Sequence, residues 1–166
     1  ATTEIYTLSL HDALPISLAF VEIGGWDTHI NQGSNPQGKQ NSLSNQFKQL
    51  AAGLAEFSLA MEGDWQETAV IVLSEFGRTF AENGNFGTDH GPGSTYWVLG
   101  PPVAGMPVRG PRLDLDAKSL NEGRDYPVLL DYRHLFAELA GRVFGLKQSA
   151  LKEAFSLTSF RTILDA

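Results

Sequence analysis

The segment VIVLSEFGRTFAENGNFGTDHGPGS, residues 70–94, passes from a continuous apolar run into a loop rich in glycine and charged residues. The apolar run predicts a strand that is buried on both faces, as in a parallel sheet. The charged residues that follow it are Glu75, Arg78, Glu82, Asp89 and His90. In open α/β sheets, ligands bind outside the carboxyl ends of the strands, so these residues are candidates for a functional site.

The sequence before this segment predicts a βαβ unit. Leu18–Ile23, LAFVEI, is apolar and ends at Gly24-Gly25, which is typical of a buried strand followed by a loop. Residues 41–61 carry apolar side chains at steps of three and four, which predicts an amphipathic helix. Residues 68–73 form the second strand, and the connection between the two strands is expected to be right-handed.

The sequence after the segment adds one strand and two helices. Residues 96–99 are predicted as a third strand, and residues 131–144 regain a helical period. Asp131 is a suitable N-cap for that helix, and Gly145 is a suitable C-terminal stop. A last helix is predicted at residues 149–154. The expected fold class is α/β, with three layers and a mostly parallel sheet that has helices on both faces.

The composition fits one globular domain and excludes several classes of function. The 166 residues are 42% hydrophobic and carry a net charge of -7, with no cysteine. An acidic chain without clusters of Lys and Arg is not expected to bind nucleic acid. The lack of cysteine excludes thiolate ligands, so a metal would be held by oxygen and nitrogen. No apolar run approaches the roughly 20 residues that a membrane span requires.

The first residues are interpreted as foreign to the protein. Residues 7–16, TLSLHDALPI, match the conceptual translation of a common sequencing-adapter oligonucleotide. Residues 1–17 are therefore predicted to be adapter read-through, which excludes His11 and Asp12 as candidate ligands. Residues 18–166 are then expected to be the C-terminal part of a longer domain.

Three pairs of polar residues lie at strand boundaries, namely Asp27 with His29, Glu75 with Arg78, and Asp89 with His90. Carboxylates and imidazoles together are the ligands that zinc or manganese takes in proteins. Their shared position beside the strands therefore indicates a metal site, and the nearby glycines would let the backbone turn sharply beside it.

Each pair also has a structural explanation. Asp27 could be an Asx-turn residue, and His29 could be an ordinary surface histidine. Glu75 and Arg78 could form an ion pair, and Asp89 could cap a turn. Three further residues are interpreted as structural, and these are Trp26, Trp97 and His134.

The motifs GGWDTH, SEFGRT, ENGNFGTDHG and GRDYPVLLDYRH closely resemble the C-terminal part of a large family of uncharacterised bacterial proteins. This family, domain of unknown function 1501, is often labelled sulfatase-like and is placed in the alkaline-phosphatase superfamily. The resemblance runs from about residue 18 almost to the end of the chain. It implies an alkaline-phosphatase-like domain that is incomplete at its N-terminus.

The resemblance also assigns ligands. Asp27, His29 and His90 resemble the ligands of one metal, and Glu75 stands where the superfamily has an acid of the second metal. The superfamily spaces its first acid and histidine four apart, which leaves the second ligand open between His29 and Asn31.

The remaining polar residues have supporting roles in the resemblance. Phe76 replaces the histidine that usually follows the second acid, so the second site is weakened or differently ligated. Arg78 is the candidate catalytic residue, which binds an anionic oxygen or orients Glu75. Asp89 is a metal ligand or a partner that fixes an imidazole tautomer.

The resemblance implies hydrolysis of sulfate or phosphate esters with the help of a divalent metal. Zinc is the expected metal, and manganese and calcium are the alternatives. The substrate would be a small anionic ester or a sulfated or phosphorylated glycan. In relatives the nucleophile lies in the N-terminal half, so this fragment alone is expected to be inactive. Relatives are commonly exported, which implies a periplasmic or extracellular location.

Two other functions stay open. A non-catalytic domain of the same fold could bind a glycan or a protein partner, because one fold hosts many functions. A metal-dependent enzyme could also act on a phosphodiester. Metal content distinguishes a non-catalytic domain from the metal-dependent enzyme. A panel of monoester and diester substrates distinguishes a phosphodiesterase from a hydrolase of monoesters.

Overall fold

The computed structural model describes residues 3–8, 18–33, 42–103 and 108–164. Strand β1 (Thr3–Leu8) pairs antiparallel with β2 (Leu18–Ile23). Most of the adapter-like stretch, residues 9–16, lies outside the described residues, while its first two residues belong to β1. All six residues of β2 are exposed. The prediction that this strand is buried is therefore wrong for the described structure, because a two-stranded ribbon leaves both faces of the strand open.

The central elements lie where the sequence predicts them. Helix α1 (Ser42–Ala60) is followed by a 3-10 turn and then by β3 (Val70–Val72). Strand β3 pairs antiparallel with β6 (Trp97–Leu99), so that Ile71 lies opposite Val98. The three-layer, mostly parallel sheet stays a prediction, because the strands described here pair only as two-stranded antiparallel sheets.

A short hairpin carries the polar segment. Strand β4 (Gly77–Arg78) pairs antiparallel with β5 (His90–Gly91), and this register sets Arg78 directly opposite His90. Residues 79–89 form the loop between the two strands. The hairpin also contacts a later segment of the chain, since Phe80 N donates to Arg124 O at 2.9 Å.

The core lies between the β3–β6 pair, helix α2 (Tyr132–Phe144) and the C-terminal segment, residues 155–164. Its buried members are Leu135, Leu139, Ile163 and Leu164. A second cluster joins α2 to α3 (Gln148–Ala154), and its members are Ala137, Leu151 and Leu157. Within the described residues, no helix is both long and apolar enough to cross a membrane.

Glu138 fastens the C-terminal segment to α2. Its buried carboxylate accepts from Ile163 N at 2.6 Å, from Leu164 N at 3.0 Å and from Arg142 Nη2 at 2.8 Å. A buried carboxylate is tolerated only when its oxygens are paired in this way.

The ends of α2 confirm the sequence prediction. Asp131 is the N-cap and accepts a hydrogen bond from Arg133 N, and Gly145 closes the helix in the left-handed conformation, with φ of 64°. The hydrogen bonds and charge of Arg133 lower the pKa of Asp131 to about 2 from its ordinary value of 3.8.

Replacing Asp131 by alanine is expected to destabilise the fold by about 1 kcal/mol, the usual effect of losing an N-cap side chain. Asp131→Asn keeps a capping oxygen and should lose less. Since the folded-state pKa is depressed, the contribution of the charge is present above pH 3.8 and is lost as the pH falls towards 2. Urea unfolding of the three proteins at pH 7 and pH 3 measures this, and equal midpoints for wild type and Asp131→Ala at pH 7 would contradict the assignment.

Candidate metal centre

Two loops meet to form the candidate site. One follows β2 at residues 24–33, and the other is the hairpin loop at residues 79–89. Their backbones are joined by Asn31 N donating to Asn85 O at 3.0 Å and by Gln32 N donating to Phe86 O at 2.8 Å. These bonds bring together side chains that are about sixty residues apart in sequence.

Gly87 makes the close approach possible. A Cβ atom at this position would lie 2.1 Å from His29 O and 2.3 Å from His29 C. Any other residue would therefore force the two loops apart.

Three potential ligand atoms converge where the loops meet. Asp27 Oδ1 lies 2.9 Å from His29 Nε2 and 2.8 Å from His90 Nε2, and the two imidazole nitrogens are 3.1 Å apart. Among the described residues, these three form the only group of His, Asp or Glu side chains close enough to share an ion.

The spacing of these atoms fits a small divalent cation. Zinc binds histidine nitrogen and carboxylate oxygen at about 2.0–2.2 Å, which sets neighbouring ligand atoms roughly 3 Å apart. One carboxylate and two imidazoles leave coordination positions open, as catalytic sites require. The side chains of Asp27, His29 and His90 are 53%, 40% and 46% exposed, so a solvent-borne ligand can reach them.

Asp89 lies beside His29. Its Oδ1 lies 3.3 Å from His29 Nδ1, so it can accept a hydrogen bond from the Nδ1–H that His29 would carry with an ion bound at Nε2. Asp89 is outside the three-residue group and contacts His29 instead, so its assignment as a ligand or as an orienting partner stays a prediction. Hydrogen bonds from Asn83 and His29 lower the pKa of Asp89, which keeps it ionised.

Arg78 fixes the position of Asp27. Its Nη2 donates to Asp27 Oδ1 at 2.8 Å and to Trp26 O at 3.1 Å, while Nη1 donates to Thr88 O at 3.1 Å. The hydrogen bond that Asp27 accepts from His90 is the largest cause of its lowered pKa, and the bond from Arg78 adds to it. Arg78 therefore links both loops and holds Asp27 beside the two imidazoles.

Phe76 supports the ring of His90. The two rings are stacked with centroids 3.8 Å apart and planes 17° apart. The guanidinium carbon of Arg78 lies 5.3 Å from the centroid of the same phenyl ring. Phe76 thus acts as a packing surface for the ring of His90.

Glu75 does not join the group. Its residue is exposed, and it is not among the three residues whose ligand atoms converge. The assignment of Glu75 to a second metal stays a prediction. Asn31, the alternative to His29, contributes its backbone N–H to the contact between the loops.

The two tryptophans that were interpreted as structural both pack against Phe47. Trp26 packs edge-on against Phe47 at 5.1 Å, and Phe47 stacks on Trp97 at 5.7 Å. His134 lies in α2, where its Nδ1 is buried and has no hydrogen-bond partner.

Asn83 was not predicted from the sequence as a residue of this site. Its side-chain amide donates to His29 O and to Asp89 Oδ1, both at 3.0 Å. The available signal was the pattern Asn-Gly-Asn within the hairpin loop, where asparagine commonly bonds to nearby backbone groups.

Gly87→Ala is expected to separate the two loops and to destabilise the fold by about 1–3 kcal/mol, as overpacking does elsewhere. Gly84→Ala is the matched control, because a Cβ atom there meets nothing within 4 Å. Urea unfolding midpoints compare the two variants with the wild type. A Gly87→Ala protein as stable as Gly84→Ala would show that the loops are not in close contact.

Comparison with known proteins gave one family. The model of the family described as protein of unknown function (DUF1501) matches residues 15–155. No curated protein and no solved structure is significantly similar to the chain. The match covers the two loops and all three converging side chains, and the chain therefore belongs to the DUF1501 family.

Proposed function

We propose that the chain carries the metal site of a metal-dependent hydrolase that cleaves sulfate or phosphate esters. The observation that supports this most strongly is the convergence of Asp27 Oδ1, His29 Nε2 and His90 Nε2 within 3.1 Å of one another. Membership of the alkaline-phosphatase superfamily and an exported location, both inferred from the sequence resemblance, are part of the same proposal.

The ligand set favours particular ions. Two imidazoles with one carboxylate suit zinc and also manganese, whereas calcium prefers a shell of oxygen ligands. A bound divalent ion would polarise an ester oxygen and offset the charge that develops during its hydrolysis.

The residues around the ligands prepare the site for this role. Asp89 holds His29 with Nε2 available, and Arg78 holds Asp27 through one of its Nη2 bonds. Arg78 donates three hydrogen bonds to other residues of the protein, and one of them goes to Asp27. These contacts favour a role for Arg78 in positioning Asp27 over a role in binding an anionic oxygen of the substrate. The exposed side of the group is open to a small anionic ester or a modified glycan.

Metal titration of the purified chain, followed by calorimetry and elemental analysis, tests the site. One equivalent of Zn²⁺ or Mn²⁺ is expected to bind, and Asp27→Asn or His90→Ala should weaken binding by at least about 100-fold, more than the usual effect of losing an orienting partner. Glu82→Gln, which removes an exposed acid of the same loop, is the charge-matched control and should bind normally. Glu75→Gln tests the second site, since it should lower the stoichiometry only if a second ion binds there.

A substrate panel tests the reaction. An aryl sulfate, an aryl phosphate and an aryl phosphodiester are offered to the metal-loaded chain and to the product of its complete genomic reading frame. Metal-dependent hydrolysis of either monoester by the latter, abolished by Asp27→Asn, is the expected result. Tight metal binding with no hydrolysis of either monoester would reject the proposed reaction, and absence of metal binding would favour a non-catalytic binding domain.

A further inference from the structure

The side-chain amide of Asn83 makes four hydrogen bonds within the candidate site. Its Nδ2 donates to His29 O and to Asp89 Oδ1, each at 3.0 Å. Its Oδ1 accepts from Asn85 N at 2.9 Å and from Gly87 N at 3.1 Å. An asparagine amide has two donor hydrogens and two acceptor lone pairs, so these four bonds satisfy it completely.

The orientation of this amide follows from its partners. Asn85 N and Gly87 N can only donate, so the atom facing them must be the oxygen. The nitrogen then faces the carbonyl oxygen of His29 and the carboxylate of Asp89, which can both accept. The oxygen end of the amide closes the hairpin loop, and the nitrogen end reaches the residues around the ligands.

The two bonds of the nitrogen hold His29 at two points. One holds its main chain directly, and the other holds the same Asp89 oxygen that lies 3.3 Å from His29 Nδ1. The main chain and the ring of this ligand are thus both fixed with respect to one side chain. Asn83 belongs to the hairpin that also carries His90, so its bond to His29 O connects the two segments that carry the imidazoles.

We propose that Asn83 is the positioning residue of the metal site, which sets His29 against His90 and Asp27 before an ion binds. This inference rests on the proposed metal site and adds a residue that controls its affinity and geometry. Partners that orient metal ligands in this way typically change metal affinity by about 10- to 100-fold when they are replaced.

Asn83→Asp separates the positioning role from the closure of the loop. A carboxylate has nearly the same shape and still accepts from the backbone N–H groups of Asn85 and Gly87. Its second oxygen, however, faces His29 O and Asp89 Oδ1, where it cannot donate and repels both. Asn85→Ala is the matched control, because Asn85 is exposed and the bonds described for it are made by its backbone.

Titration with Co²⁺, followed by visible absorption, reports both affinity and ligand geometry. Asn83→Asp is expected to bind Co²⁺ about 10- to 100-fold more weakly than wild type and with an altered spectrum, while Asn85→Ala stays within about twofold. Wild-type affinity and spectrum in Asn83→Asp would overturn the role of Asn83 and leave the metal site intact. A wild-type chain that binds no Co²⁺, Zn²⁺ or Mn²⁺ would instead reject the proposed function.

A measurement on the wild-type chain covers the case in which Asn83→Asp does not fold. In nitrogen-15 NMR spectra, the Asn83 side-chain NH₂ protons are expected to exchange slowly with water, because both are hydrogen-bonded. Free exchange of those protons at the same rate as in exposed asparagines would overturn the inference without any variant.

Discussion

A single carboxylate oxygen, Oδ1 of Asp27, lies within 2.9 Å of two imidazole nitrogens and one guanidinium nitrogen. Such crowding around one oxygen requires two loops that are distant in sequence to meet at one point. Arg78 reaches across from the hairpin to the backbone of Trp26, and the backbone of Asn31 bonds to the hairpin loop. The proposed chemistry depends on this meeting, because no single loop supplies all three ligand atoms.

The meeting of the loops depends in turn on backbone contacts. Gly87 lies so close to the carbonyl of His29 that a side chain cannot be accommodated, and Asn83 satisfies backbone groups of the same loop. The hairpin itself rests on a later segment of the chain through the bond between Phe80 N and Arg124 O. The positions of the three candidate ligands are therefore set by protein contacts, an arrangement that would reduce the reorganisation needed to bind an ion.

Local signals in the sequence predicted the elements and part of the site. Helix α2 was anticipated with its cap at Asp131 and its stop at Gly145, because periodicity and capping are properties of neighbouring residues. Burial of β2 was wrong, since an apolar run does not specify which element covers it. Asp27 and His90 were chosen as candidates from their place beside strands, but Asn83 was missed because its bond to His29 O joins two loops that are distant in sequence. Glu75 has the same local signal as Asp27, yet local signal alone does not bring its carboxylate to the group.

We propose that Asp27, His29 and His90 share one divalent ion. X-ray absorption spectroscopy at the zinc edge of the zinc-loaded chain measures the ligand shell directly. We expect two imidazole nitrogens and one carboxylate oxygen at about 2.0–2.2 Å, with one imidazole lost from the shell in His90→Ala. A zinc shell without imidazole, or one unchanged by His90→Ala, would contradict it.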